Sequence, residues 1–265
     1  MNSCASPTTD PTEPFDFIET NHNTPKLMSP LNGRTAVVTG ASRGIGAGIA
    51  AALGDAGVRV VIIARNEAKL KERAQAIKGS IPIACDITNP SGVERGTKRI
   101  AAELGGAPDI LVNNAGIFGV AQVEETEPQF FIDTINTNLV APFLFLRSFL
   151  ADMKKRKTGH VVTIGSVADR TIYTGNAAYS AAKFGSRAIH EVLRAELRGT
   201  GVRSTLISPA ATDTDIWNSV TVTDPAGKPH DTRPMLDPAD VVSAVMFALT
   251  QPDRVNIDEL RLSHS

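Results

Sequence analysis

The chain has few of the residues that build disulfide, metal or membrane proteins: two cysteines, one tryptophan and five histidines in 265 residues. Cys4 and Cys85 make no disulfide framework, and a reducing, cytoplasmic setting is the expectation. His22, His160, His190, His230 and His264 are scattered without ligand spacing, so no metal centre is expected. No apolar run approaches the ~20 residues that span a bilayer. With 27 basic and 28 acidic residues the net charge is −1, which leaves no basic footprint for nucleic acid. Aromatics supply 5% of the chain against 42% hydrophobic residues overall, so the core is expected to be aliphatic.

Residues 1–30 differ from the rest. Pro7, Pro11, Pro14, Pro25 and Pro30 punctuate a polar stretch with little hydrophobic periodicity. It lacks the basic segment and apolar core of a secretory signal, and it is too acidic and too poor in Arg for a mitochondrial presequence. A disordered extension, or an arm that lays Phe15, Phe17 and Ile18 on a neighbouring subunit, fits this composition.

From Leu31 onward short β-branched runs alternate with helical patterns. Strands are expected at Thr35–Thr39, Arg59–Ala64, Ile81–Ala84, Ile110–Asn113, His160–Gly165, Arg203–Ser208 and Ile257–Leu262. Helices are expected from the glycine turn to about Ala56 and over Glu67–Ile77, Ser91–Leu104, Gln129–Met153, Ala177–Leu197 and Pro238–Leu249. Such alternation predicts one α/β domain, residues 31–265: a Rossmann-like, doubly wound, seven-stranded parallel sheet with helices on both faces. Ligands bind such sheets beyond the strands' carboxyl ends, at the switch in strand order.

Two groups of residues carry chemistry. The run Thr39-Gly40-Ala41-Ser42-Arg43-Gly44-Ile45-Gly46 joins a strand to a helix, where backbone N–H groups and the helix dipole can meet a pyrophosphate. Its spacing is Gly-x-x-x-Gly-x-Gly, unlike the commoner dinucleotide fingerprint. Tyr179 and Lys183 lie one helical turn apart on one face, with Ser166 at a strand end before them. A free phenol titrates near ~10, and donating a proton at neutral pH asks for a phenolate stabilised by about 3–4 kcal/mol. A neighbouring cation acts in that direction.

With Asp86, Asn113-Asn114-Ala115-Gly116, Asn138 and Pro209–Thr214 added, the motifs are similar in order and spacing to those of the short-chain dehydrogenase/reductase family. The resemblance implies an oxidoreductase that interconverts a carbonyl and an alcohol by hydride transfer. Tyr179 would be the general acid/base, Ser166 would orient the carbonyl, and Lys183 would hold the ribose and stabilise the tyrosinate. Asn138 would position a water leading from the lysine. Cofactor contacts would come from Gly40, Ser42, Arg43, Gly44, Ile45 and Gly46, then from Asp86 and Ile87 at the adenine. Asn113, Ala115 and Gly116 would follow along the fourth strand, and Pro209, Thr212 and Thr214 would meet the nicotinamide. Ala210 stands where the family's segment usually has glycine.

The second strand ends Ala64-Arg65, without the carboxylate that holds a free 2′-hydroxyl. Arg65 and Arg43 could instead clamp a 2′-phosphate, so NADP(H) is the expected cofactor. Phe118, Val167, Asp169, Arg170, Ile172, Tyr173 and Trp217 are expected near the substrate, under a lid running from Trp217 to Leu236. Among substrates, ketones and aldehydes lead, with 3-oxoacyl thioesters open. The resemblance also implies a homodimer or homotetramer paired through the two long helices. A non-catalytic NADP(H)-binding sensor is the alternative, and a dehydratase or epimerase is disfavoured by the small region available for a lid.

Overall fold

Seven short runs form strands, most of them rich in Val and Ile, whose buried β-branched side chains pack well on a pleated surface. They are β1 Thr35–Thr39, β2 Arg59–Ala64, β3 Ser80–Ala84, β4 Ile110–Asn113, β5 Gly159–Ile164, β6 Val202–Pro209 and β7 Glu259–Leu262. In this computed structural model, which describes residues 30–218 and 235–265, they make one parallel sheet in the order β3-β2-β1-β4-β5-β6-β7. The N-terminal arm with Phe15, Phe17 and Ile18, and most of the expected lid, lie outside the described residues.

Val38 of β1 is in register with Ile62 of β2 and Val112 of β4, so consecutive residues alternate between two faces. Ala36, Val38, Val60, Ile62, Ile110 and Val112 pack on helices α1 (Gly44–Asp55), α2 (Glu67–Gln75) and α7 (Pro238–Leu249). Val37, Val61, Ile63 and Leu111 pack on α3 (Pro90–Leu104), α5 (Ala141–Arg156) and α6 (Ala177–Glu196). Caps set several starts. Asn66 accepts from the Lys69 N–H at 2.9 Å, Asn89 from the Gly92 N–H at 2.6 Å, and Asp237 makes a capping box with Asp240. Strand order reverses between β1 and β4, which opens a crevice at their carboxyl ends.

The expected single helix over Gln129–Met153 is a composite. Helix α4 (Pro128–Ile135) runs into a π-turn at Asn136–Val140 and then into α5. Ala141 N–H bonds the Asn136 carbonyl, one residue further than in an α-helix. Pro142, which follows, has no N–H to return to the carbonyl of Asn138.

Buried at 1% exposure on β5, His160 pairs through Nε2 with the Thr205 hydroxyl at 2.8 Å. Burial, with Arg203 and Arg34 adding to it, pushes its pKa down to about 3. The unfolded chain therefore takes up this proton first, and stability falls as pH drops from about 6.5 toward 3. The slope from this one group reaches about 1.4 kcal/mol per pH unit. Urea unfolding at pH 7, 5 and 4 should show His160→Gln losing less stability on acidification than the parent. Parallel curves would remove His160 as the cause.

Candidate active site

The β1–α1 turn is built for close approach. Gly40 and Gly44 have φ of +69° and +55°, the left-handed region that favours glycine. A Cβ at Gly46 would sit 2.3 Å from Asn114 Nδ2 and 2.5 Å from the Gly40 carbonyl oxygen. Gly46→Ala is thus expected to displace the turn, lowering Tm by several degrees and cofactor affinity at least tenfold. Isothermal titration beside thermal unfolding checks this, and unchanged affinity would show that the turn does not meet the ligand. Arg43 precedes α1 in extended backbone and makes no side-chain cap, so the first-turn N–H groups face the cleft without an internal partner.

Around this turn lies a cleft of about 1460 Å³ at the carboxyl ends of β1, β4, β5 and β6. Gly40, Ser42, Arg43, Gly44, Ile45 and Gly46 all line it. At one end stand Arg65, Asn66, Lys69, Ile87 and Thr88, and none of the lining residues just after β2 is a carboxylate. Lys69 was not anticipated; its signal was its position one helical turn beyond Arg65. Asp86 does not line the cleft. Its exposed carboxylate accepts bonds from the Thr88 N–H at 3.0 Å and hydroxyl at 2.8 Å, which, with burial opposing, hold its pKa low.

Asn113 also departs from expectation. Its buried amide has no hydrogen-bond partner among the described residues, and Asn113 does not line the cleft. The neighbouring Asn114 does the cross-strand work, with Nδ2 donating to the Thr39 carbonyl at 2.9 Å. Thr39 Oγ1 in turn accepts from the N–H groups of Asn114 and Ala115, each at 3.0 Å. Ala115 and Gly116 line the cleft.

On the opposite wall, Pro209, Thr212 and Thr214 line the cleft, with Thr214 against Gly44. Ala210 donates its N–H to the Leu262 carbonyl at 2.9 Å, fixing the backbone where the family's glycine is absent. Thr212 Oγ1 donates to the Ala210 carbonyl at 3.0 Å, and Trp217 Nε1 donates to the Thr212 carbonyl at 2.9 Å.

Tyr179, Lys183 and Ser166 converge at the inner end of the cleft. Lys183 Nζ lies 5.5 Å from the Tyr179 ring centroid and donates to the Ile164 carbonyl at 2.8 Å. Burial pushes Lys183 down to about 8, while Asp169 pulls it back up. Tyr179 goes the other way from the sequence expectation: burial pushes it up to about 12, with the Ser166 hydroxyl lowering and Asp169 raising it. Although the residue is half-buried overall, desolvation at the phenol outweighs any help from the lysine. Ser166 Oγ also accepts from the Ala168 N–H at 3.1 Å, which fixes the hydroxyl.

Asn138 uses its amide on the loop after β4. Ile117 N–H donates to Oδ1 at 2.9 Å, and Nδ2 donates to the Ile117 carbonyl at 2.8 Å. Phe118, held by that loop, packs edge-on against both Tyr179 and Trp217 with centroids 4.9 Å away in each case. Val167 and Tyr173 complete the aromatic and apolar wall. Asp169, Arg170 and Ile172 do not belong to it: Asp169 is fully buried behind it in an ion pair with Arg170, and Ile172 borders a separate hollow. His264 reaches the cleft from beyond β7, a contact that only the β6–β7 pairing reveals. Among the described residues no cluster of three or more His, Cys, Asp or Glu could hold a metal, and no helix could cross a membrane.

The residues fit a dinucleotide: an open helix terminus beside a turn that only glycine can form, basic side chains at one end, and a proton-donor set at the other. A doubly wound sheet bearing this cleft at its switch point defines a dinucleotide-dependent oxidoreductase. The short chain dehydrogenase family model matches residues 34–224, and the chain belongs to that family. An uncharacterized oxidoreductase of Staphylococcus aureus strain MW2 is 34% identical over 235 residues, covering 88% of this chain and 98% of that protein. Glycine betaine reductase of Emericella nidulans is 36% identical over 244 residues, but the match spans 89% of this chain and only 19% of that protein. A metagenomic short-chain oxidoreductase solved in complex with NADP superposes with a TM-score of 0.75 at 32% identity, covering 89% of this chain and 99% of that one. An alcohol dehydrogenase from Thermococcus sibiricus complexed with 5-hydroxy-NADP also gives 0.75, at 27% identity and coverages of 86% and 95%.

Proposed function

We propose that the chain reduces neutral, apolar ketones or aldehydes to alcohols with NADPH, Tyr179 giving the proton. It is an NADP(H)-dependent oxidoreductase of the short-chain dehydrogenase family acting on CH–OH and carbonyl groups. The observation that carries the proposal is the meeting of Tyr179, Lys183 and Ser166 at one end of a cleft whose other end is basic.

NADPH, when bound, supplies the hydride. Ser166 would hydrogen-bond the carbonyl oxygen and fix its angle. Tyr179 would pass its proton to that oxygen as negative charge develops there. A phenol kept protonated by burial is loaded for this direction, because an alkoxide is a far stronger base than a phenolate. Lys183, charged below about pH 8, would hold the ribose hydroxyls and steady the phenolate left behind. Asn138 would act through its main-chain carbonyl, the one polar group that Ile117 and Pro142 leave available to a water relay.

Phe118, Trp217, Tyr173 and Val167 favour an apolar, flat substituent on the substrate. A screen of NADPH oxidation should therefore show aromatic ketones and diketones turned over with higher kcat/KM than 3-oxoacyl thioesters. Preference for the thioesters would move the substrate to that class. Phe143 on α5, with Phe184 and Val192 on α6, is exposed at 39–59%, which supports pairing of these helices in a homodimer or homotetramer. A cytoplasmic location accords with the scarcity of cysteine.

A further inference from the structure

The hydroxyl of Ser166 is held by a turn that cannot hold itself. Ser166 caps the short 3₁₀ turn Val167–Asp169 that follows β5. Its Oγ accepts the Ala168 N–H at 3.1 Å, and its carbonyl accepts the Asp169 N–H at 3.0 Å. A lone 3₁₀ turn has few bonds of poor geometry, and forming one fixes several dihedral angles for each bond gained. Here the side chain of Asp169, 0% exposed, ties the turn down. Ser208 of β6 donates its hydroxyl to Oδ2 at 2.6 Å, and Arg170 donates Nε to Oδ1 at 2.7 Å. Arg170 also pairs with Glu259 of β7. At Gly165, between β5 and Ser166, a Cβ would lie 3.0 Å from both Asp169 Oδ2 and Ser208 Oγ, so the carboxylate is packed against the backbone that leads into Ser166.

We propose that Asp169 is a positioning residue that aims the Ser166 hydroxyl, by clamping the turn that Ser166 caps to β6 and, through Arg170, to β7. This rests on the reading of Ser166 as the group that orients the carbonyl. Hydrogen bonds to a carboxylate are the stronger kind. One from β6 and one from a guanidinium itself paired to β7 fix both the position of the turn and its rotation. Buried ion pairs add little net stability, so stability alone gives no reason for a charge at this point. Orientation does, because a displacement of about 1 Å in a group that holds the substrate can cost about 10²-fold in rate. Asp169 does not line the cleft, and its action on the reaction passes through Ser166, which does.

A double-mutant cycle tests this. Asp169→Ala should lower kcat roughly tenfold or more while NADPH affinity stays within about twofold of the parent. Asp169→Asn, which keeps the shape and an oxygen for Arg170, should recover most of the loss. In a Ser166→Ala background, where no hydroxyl is left to aim, the same Asp169→Ala change should alter kcat by less than about twofold. A general loosening of the fold would cost the same factor in both backgrounds, and an equal loss overturns the proposal. If Asp169→Ala does not fold, Ser208→Ala takes its place in the cycle, and an equal loss in the two backgrounds again overturns it. One readout needs no turnover. Amide hydrogen exchange at Ala168 and Asp169 should quicken roughly tenfold or more in the folded variant, while Val161 and Ile164 of β5 exchange as in the parent. Unchanged exchange at the turn overturns the proposal even if no carbonyl is reduced. Persistence of activity in Tyr179→Phe sinks the assigned reaction and leaves the exchange result standing.

Discussion

Tyr179→Phe should lose at least 10³-fold in kcat while keeping its fold and its affinity for NADPH. General acid catalysis by a positioned side chain is worth roughly 10²–10⁴, and here the phenol is the group placed to give the proton. The ring itself is retained in the variant, so its edge contact with Phe118 at 4.9 Å and the neighbouring Trp217 contact survive. Tm should move by no more than a few degrees. Stopped-flow measurement of NADPH oxidation, with titration of NADPH binding on the same sample, separates the two effects. A variant with more than a tenth of parental kcat would pass the role to another donor, and Ser166 would be the next group to test.

Changing Arg65 to Asp should weaken NADPH binding roughly 10²-fold and NADH binding far less. Charge-assisted bonds from a guanidinium to phosphate each contribute about 1.5–3 kcal/mol, and the new carboxylate would repel a 2′-phosphate while accepting a bond from a 2′-hydroxyl. Arg65 lines the cleft directly after β2, with Lys69 one helical turn beyond it. Arg43 faces the same space but lies 3.7 Å from Asp215, and both are exposed, so its contribution is expected to be smaller. Fluorescence titration of both cofactors against both proteins gives the four constants. Equal losses for NADPH and NADH would mean that Arg65 touches the shared phosphates, or nothing.

The central strands β1, β2, β4 and β5 were legible because each is a short β-branched run buried on both faces, and the ends of all seven agree with the sequence expectation within one or two residues. The glycine turn and the Tyr179–Lys183 spacing were legible because local geometry alone dictates them. What escaped depended on register or depth. Asn113 and Asn114 are identical neighbours whose side chains alternate across the sheet, and only the pairing of β4 with β1 decides that Asn114 bridges to Thr39. The π-turn at Asn136–Val140 has a sequence cue in Pro142, but the bonds from Asn138 to Ile117 that accompany it come from a loop twenty-one residues away. Asp169 looked like a rim residue because it neighbours Arg170; it is fully buried, with Ser208 of β6 donating to one carboxylate oxygen and Arg170 to the other. The direction of the Tyr179 shift needed the extent of burial, which no spacing encodes.

A single-turnover experiment tests the central claim most directly: the protein saturated with NADPH, mixed with a panel of aromatic ketones, diketones, aldehydes and 3-oxoacyl thioesters, with absorbance and product followed together. The account predicts one alcohol formed for each NADPH oxidised with at least one carbonyl. NADPH bound tightly at this cleft yet unoxidised by every member of the panel would contradict it, and would instead describe a protein that senses the cofactor.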